Sequence, residues 1–150
     1  VSSYGASKAA ASLAACALAR EHKLELAVLR PFHVYGEGEP AHRFFPMLKA
    51  AANSGADFPM TPGGQVRDFM EVNDVARVFL NFVFHPLVLG VPQIFNLGTG
   101  KPQSLLDFAQ SWWTKWQARG RLVPGALPYR PDEIMRYVPA LSRIENYIPS

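Results

Sequence analysis

The sequence predicts an α/β fold with partly parallel strands, and three observations carry that expectation. Helix-like and strand-like patterns alternate along the chain as helix, strand, helix, strand, helix. Two short apolar segments, near 25–30 and 93–97, have the make-up of strands buried in a parallel sheet. With 150 residues, 49% of them apolar and 18% charged, the chain has the composition of a globular domain with a real core. Two such strands do not complete a parallel sheet, so the sheet needs further neighbours.

The elements follow in order. Residues 3 to about 21 are dense in Ala, with Leu13, Leu18, Arg20 and Glu21 and no Gly or Pro after Gly5, which predicts one long helix. The run 24–29 (LELAVL) reads as a strand that enters a loop at Arg30-Pro31. Gly36, Gly38 and Pro40 mark 32–40 as an ordered loop, and a shorter helix is expected over 42–53, stopped by Ser54-Gly55. Pro and Gly across 59–64 give a turn, and 66–72 (VRDFMEV) reads as a strand. Asn73 or Asp74 then caps a helix reaching about 85–86, because a short side-chain oxygen accepts from the free amides of a first turn. Residues 93–97 form a strand broken by Gly98-Thr99-Gly100, and Ser104 with Asp107 has the spacing of a capping box that opens a helix to about 119. The segment 122–131 is Pro-rich and extended, and a last short helix is expected over 142–147.

Composition and spacing exclude several functions. The net charge is only +3, and the Lys and Arg are scattered, whereas binding to a nucleic-acid backbone needs a clustered basic face. No apolar run approaches the roughly 20 residues of a membrane span, and no signal-peptide pattern is present. Cys16 has no partner within the chain, which fits a reducing, cytoplasmic setting. His22, His33, His42 and His85 lack ligand spacing, so no metal site is expected. Gly36-Glu37-Gly38 lacks the third glycine of a dinucleotide fingerprint, and Gly98-Thr99-Gly100-Lys101 lacks the upstream glycine and following hydroxyl of a phosphate-binding loop. Trp112, Trp113 and Trp116 form a cluster in which 112 and 116 share a helix face, which reads as core or interface packing.

The chemistry begins at Tyr4-Gly5-Ala6-Ser7-Lys8. Four apart on one helix, Tyr4 and Lys8 lie on the same face a turn from each other. An ordinary phenol is a poor base at neutral pH, and a nearby ammonium favours its ionised form. Such a pair moves a proton while a cofactor takes a hydride. On its own a Tyr-x-x-x-Lys is unspecific, and three later segments raise its weight: Leu29-Arg30-Pro31-Phe32-His33-Val34-Tyr35-Gly36, Arg67-Asp68-Phe69-Met70-Glu71-Val72-Asn73-Asp74, and Phe95-Asn96-Leu97-Gly98-Thr99-Gly100.

In this order the four segments resemble the extended short-chain dehydrogenase/reductase family, in its NAD-dependent sugar-nucleotide epimerase/dehydratase type. The resemblance implies the C-terminal part of a Rossmann-like doubly wound parallel sheet plus a smaller substrate-binding region. Positions of about 1–35 and 66–110 would mix the two, and about 36–65 and 111–150 would be mainly substrate-binding. It implies that Tyr4 is the general acid or base on a sugar hydroxyl or carbonyl, most often at the 4-position in this family. Lys8 would support the phenolate and hold the nicotinamide ribose, and Pro31 and Val34 would border the nicotinamide of NAD or NADP. His33, where many relatives have Asn, with Arg67 and Arg130 would hold the diphosphate of a nucleotide-diphosphate sugar, since a guanidinium presents two parallel donors to phosphate oxygens. The family's hydroxyl partner of the tyrosine normally lies well upstream, so the chain is expected to begin inside a larger protein whose cofactor-binding half precedes Val1, and to be inactive alone. Ala6, Ala10, Ala14 and Ala17 would let the first helix pair closely in a homodimer. Epimerase, dehydratase and keto-sugar reductase share these residues and stay open, as does a non-catalytic sugar-nucleotide-binding or interaction module.

Overall fold

The computed structural model describes residues 2–141. In chain order the elements are α1 (Ser3–Glu21), β1 (Ala27–Pro31), β2 (His33–Tyr35), α2 (Phe44–Ser54), β3 (Phe58–Met60), β4 (Val66–Arg67), β5 (Phe69–Glu71), α3 (Val72–Phe84), β6 (Gln93–Leu97), β7 (Gln103–Ser104), α4 (Leu105–Lys115), β8 (Leu122–Pro124) and β9 (Arg136–Tyr137). They fall into two compact units: Val1–Pro31 with Val75–Leu97 and Ala140–Ser150, and Phe32–Asp74 with Gly98–Pro139. Among the described residues no helix is long and apolar enough to cross a membrane.

In the first unit α1 spans 3–21 as expected. Ser2 precedes it in extended conformation, and its hydroxyl accepts from the Gly5 amide at 3.1 Å, satisfying one of the unpaired donors of the first turn. The expected strand at 24–29 begins later, at Ala27, because the backbone before it is committed elsewhere. The Leu24 amide donates to the Ala19 carbonyl, and the Leu24 carbonyl accepts from Gly90. The two segments read as parallel strands find each other, with β1 pairing parallel to β6 and Leu29 opposite Phe95. Val78 and Phe82 of α3 are buried, and the Phe82 ring lies 4.9 Å from that of Phe95. Phe79, Leu80, Val83 and Phe84 form a second apolar stripe on α3 that is exposed.

The second unit holds three small sheets: parallel β2–β5, parallel β3–β8, and β4 flanked by antiparallel β7 and parallel β9. Four expectations change here. The loop at 32–40 contains β2, whose partner β5 is far away in sequence. The strand at 66–72 is two strands, β4 and β5, split at Asp68. Helix α3 opens at Val72, so Asn73 and Asp74 lie in its first turn, and the Glu71 carboxylate accepts from the Asn73 amide at 2.8 Å. The box at 104–107 forms, with Ser104 Oγ accepting from the Asp107 amide at 3.0 Å, but α4 stops at Lys115, short of 119. The chain turns back there through Gln117 at φ 52°, and Trp113 Nε1 donates to the Gly120 carbonyl. The helix expected at 142–147 lies outside the described residues.

Leu48, Phe58, Met60 and Ala109 form one buried cluster of this unit, and Phe45, Phe69 and Phe108 another. Phe69 stacks on Phe108 with ring centroids 3.9 Å apart, and Tyr35, Trp112 and Trp116 pack around them. Asp68, 1% exposed, breaks the ladder for a purpose. Its carboxylate accepts from the amide and hydroxyl of Thr99, both at 2.7 Å, and from the Gly100 amide at 2.8 Å. Gly98 is required beside it, because a Cβ there would come within 2.7 Å of Asp68 Oδ2. Replacing Asp68 by Asn removes the charge and points amide hydrogens at these donors. Asp68→Asn is expected to lower the unfolding free energy of the chain by about 3 kcal/mol in urea denaturation. A loss below about 1 kcal/mol, the worth of one ordinary hydrogen bond, would contradict this role.

Candidate functional site

Because the Ser2 cap starts α1 at Ser3, Tyr4 falls in the first turn and Lys8 one turn on. Lys8 Nζ lies 5.7 Å from the centre of the Tyr4 ring, over its face. Tyr4 is 71% exposed, and the Ser7 hydroxyl donates to its carbonyl at 2.8 Å. Pro31, also in the first unit, is the last residue of β1 and stands opposite Leu97.

The second unit gathers the other expected residues. A cavity of about 440 Å³ is lined by His33, Arg67 and Arg130 together with His42, Gln65 and Glu133. This volume suits a small-molecule ligand. His33 opens β2 opposite Phe69, whose ring meets the imidazole edge-on at 4.8 Å. Arg67 ends β4, and its Nη1 donates to the Val66 carbonyl at 2.9 Å. Its Nη2 donates to Glu133 Oε1 at 3.0 Å, in an ion pair whose side chains are 13% and 18% exposed. Arg130 begins a turn closed by the Glu133 amide donating to the Arg130 carbonyl at 3.1 Å. Phe44 and Met47 of the first turns of α2 line the same cavity. The cavity thus brings the guanidiniums of Arg67 and Arg130 together with the Glu133 carboxylate.

Burial pushes the His33 imidazole below its ordinary value of 6.5, and the positive charges of Arg67 and then Arg43 push it the same way. His33 and Val34 also line a second cavity, of about 430 Å³, with Arg43, Glu39 and the loop from Phe32 to Pro40. Burial raises the Glu39 carboxyl above its usual range against the opposing pull of Arg43 and of the Gly36 amide. One Glu39 oxygen, Oε2, is buried without a hydrogen-bond partner. Gly36, at φ 139°, closes this loop where a Cβ would meet Val72 Cγ1 at 2.7 Å. Residue type alone missed Glu133, Tyr129 and Asp68. Tyr129 accepts from the Gly64 amide at 3.0 Å, and Glu133 had only one signal in the sequence, its place three residues after Arg130.

Residues 1–98 match the model of the NAD dependent epimerase/dehydratase family. Among solved structures the chain is similar to a dTDP-glucose 4,6-dehydratase from Bacillus anthracis in complex with NAD, at 22% identity and a TM-score of 0.76 over 98% of this chain and 46% of that one. It is similar to a UDP-glucose 4-epimerase from Thermotoga maritima with UDP-glucose, at 21% identity and a TM-score of 0.82 over 97% of this chain and 47% of that one. It is also similar to MoeE5 in complex with UDP-glucuronic acid and NAD, at 25% identity and a TM-score of 0.78 over 97% of this chain and 48% of that one. The α/β fold with parallel strands is therefore the Rossmann-like fold of these enzymes, and the chain spans about half their length.

The His33 environment has a measurable sign. With a folded midpoint below 6.5, the unfolded chain takes up this proton first as pH falls. The stability tied to His33 is thus complete above about pH 6.5 and is lost as pH drops from there towards the folded midpoint. Titration of the His33 ring by NMR is expected to give a midpoint below 6.5 that rises in Arg67→Gln; a midpoint at or above 6.5 would contradict the packing described.

Proposed function

The chain belongs to the NAD-dependent epimerase/dehydratase family, and from that premise we propose that it carries the catalytic helix and the nucleotide-sugar-binding unit of an enzyme acting on a nucleotide-diphosphate sugar. The observation that carries this reading is the single cavity in which His33, Arg67 and Arg130 stand together. Two guanidiniums suit a diphosphate, because charge-assisted donors in a partly dry cavity hold phosphate oxygens strongly. Phe32–Asp74 and Gly98–Pro139 form the substrate unit in this reading, and the other segments contribute to the cofactor core.

Tyr4 and Lys8 offer a phenol and an ammonium on one exposed helix face, donor chemistry that fits the ribose of a nicotinamide nucleotide. Pro31 and Val34 would border its ring. NAD or NADP, when bound, supplies the acceptor for the hydride of the sugar carbon. Tyr4 exchanges the proton of the hydroxyl on that carbon, and Lys8 stabilises the phenolate that results. Arg67, Arg130 and His33 orient the sugar through its diphosphate, so binding energy remote from the reacting carbon fixes the geometry there. Epimerase and dehydratase outcomes begin with this proton removal, and a keto-sugar reductase runs it in reverse, with Tyr4 giving its proton to the carbonyl oxygen while a reduced nicotinamide would supply the hydride. Because the chain spans about half the length of the solved relatives, turnover belongs to the complete protein and the 150-residue chain binds without turning over. The exposed Ala6, Ala10, Ala14 and Ala17 of α1 are the surface through which the complete protein forms a homodimer.

Titration calorimetry of the chain with UDP and dTDP tests the diphosphate site. Saturable binding is expected, weakened about tenfold or more by Arg67→Ala, roughly 1.4 kcal/mol, and less by Arg130→Ala at its exposed position. No binding at millimolar nucleotide would overturn the site. In the complete protein Tyr4→Phe is expected to lower kcat by about 10²- to 10⁴-fold with little change in substrate affinity. The second reading, a non-catalytic binding module, is favoured by the cavity being built from one unit alone. Nucleotide binding by a complete protein that leaves nucleotide-diphosphate sugars chemically unchanged in the presence of oxidised or reduced nicotinamide cofactor would select it.

A further inference from the structure

Among the described residues, Glu133 is the one acidic side chain lining the cavity that holds Arg67 and Arg130. Its backbone is pinned on both sides. Ahead of it, its own amide closes the turn onto the Arg130 carbonyl at 3.1 Å. Behind it, the Val66 amide donates to the Met135 carbonyl at 2.7 Å, and β9 continues alongside β4 with Val66 opposite Arg136 and Arg67 opposite Tyr137. The carboxylate is thereby held at Arg67 by the same ladder that places Arg67 itself. Flexible surface partners swing away when a ligand arrives, and this one is tethered on both flanks.

We propose that Glu133 is a built-in counter-anion for Arg67 that sets the affinity of the site, keeping an incoming diphosphate weak enough to leave after turnover. The inference rests on the reading of the cavity as a diphosphate site. The ion pair stands at 3.0 Å with both side chains largely withdrawn from water. A ligand phosphate must share that guanidinium and accept a fixed like charge beside it. Like charges repel more strongly at such a partly buried position than in bulk solvent, since screening there is weak. Arg130 lies in the same turn as Glu133 and adds a second positive charge, so the site remains attractive to anions with its affinity held down.

Inorganic pyrophosphate is the probe, because it lacks the nucleoside and reads the phosphate contacts alone. Titrated into the 150-residue chain, it is expected to bind Glu133→Gln about tenfold more tightly than the unmodified chain, with a steeper loss of affinity on adding salt. The amide keeps an oxygen that accepts from Arg67, so Arg67 stays oriented while the charge is gone. Glu133→Asp, which retains the charge, is expected to bind as the unmodified chain does. In the complete protein Glu133→Gln should lower KM and slow product release. Glu133→Ala should move affinity in the same direction, and it replaces the Gln variant if that one fails to unfold cooperatively in urea. Pyrophosphate binding that Arg67→Ala weakens but Glu133→Gln leaves equal or weaker would overturn the role of Glu133 and leave the diphosphate site standing. Absence of pyrophosphate binding in the unmodified chain and in both neutral variants would overturn both.

Discussion

The second unit depends on one buried carboxylate. Asp68 is nearly inaccessible, and it survives burial because the turn at Thr99 and Gly100 supplies three donors to it. An ionised group withdrawn from water is tolerated only when such bonds replace its hydration. The turn would otherwise run free between β6 and β7. Held by Asp68, it delivers the chain to β7, which pairs with β4 at Val66 and Arg67. The Ser104 cap then starts α4 at once, and α4 brings Phe108 onto Phe69, the residue next to Asp68 in sequence. One carboxylate therefore closes a circuit of turn, strand, helix and aromatic stack, and Arg67 sits within it.

The aromatic stack supplies the electrostatic setting of the site. Phe69 lies face to face with Phe108 and edge-on to His33, so one wall beside the imidazole is a low-dielectric surface. Apolar surroundings penalise a charged imidazole, and two guanidiniums penalise it further, so three effects of one sign act on His33. The cavity thereby disfavours the charged form of His33, and the neutral ring is able to donate or accept. This preference follows from packing as much as from residue type.

What the sequence made legible was local, and what it hid depended on remote partners. Helix α1 could be read from its Ala density and α2 from its Gly55 stop, where φ is 74°. Strand β6 and the Ser104–Asp107 cap were equally readable, because each is determined within a few residues. Strand β2 was hidden within an apparent loop because its pairing with β5 is the only thing that makes it a strand. The break at Asp68 was hidden because the amides that demand it lie some thirty residues onward. Glu71 is an acceptor at the start of α3 because its long side chain reaches the Asn73 amide from the preceding strand. Arg67 and Arg130 could be picked from their motifs, but the pairing of Arg67 with Glu133 depends on β9 running beside β4, a parallel contact that no local pattern announces.

The positions of the proposed site residues obey a common constraint. Pro31 ends β1, His33 begins β2 and Arg67 ends β4, while the residue following Arg67 leaves the ladder altogether. Inside a buried strand a side chain is committed to packing, and its backbone to the neighbouring strand. At a strand end the backbone geometry is still rigid, yet the side chain has a free direction. Rigid placement with a free outer face is what a binding group needs, and it is the reason ligands of parallel α/β folds collect at strand termini. Short strands multiply such termini. The three small sheets of the second unit, poor as a core on their own, are therefore well suited to presenting charged side chains, and the aromatic stack beneath them restores the stability that short ladders lack.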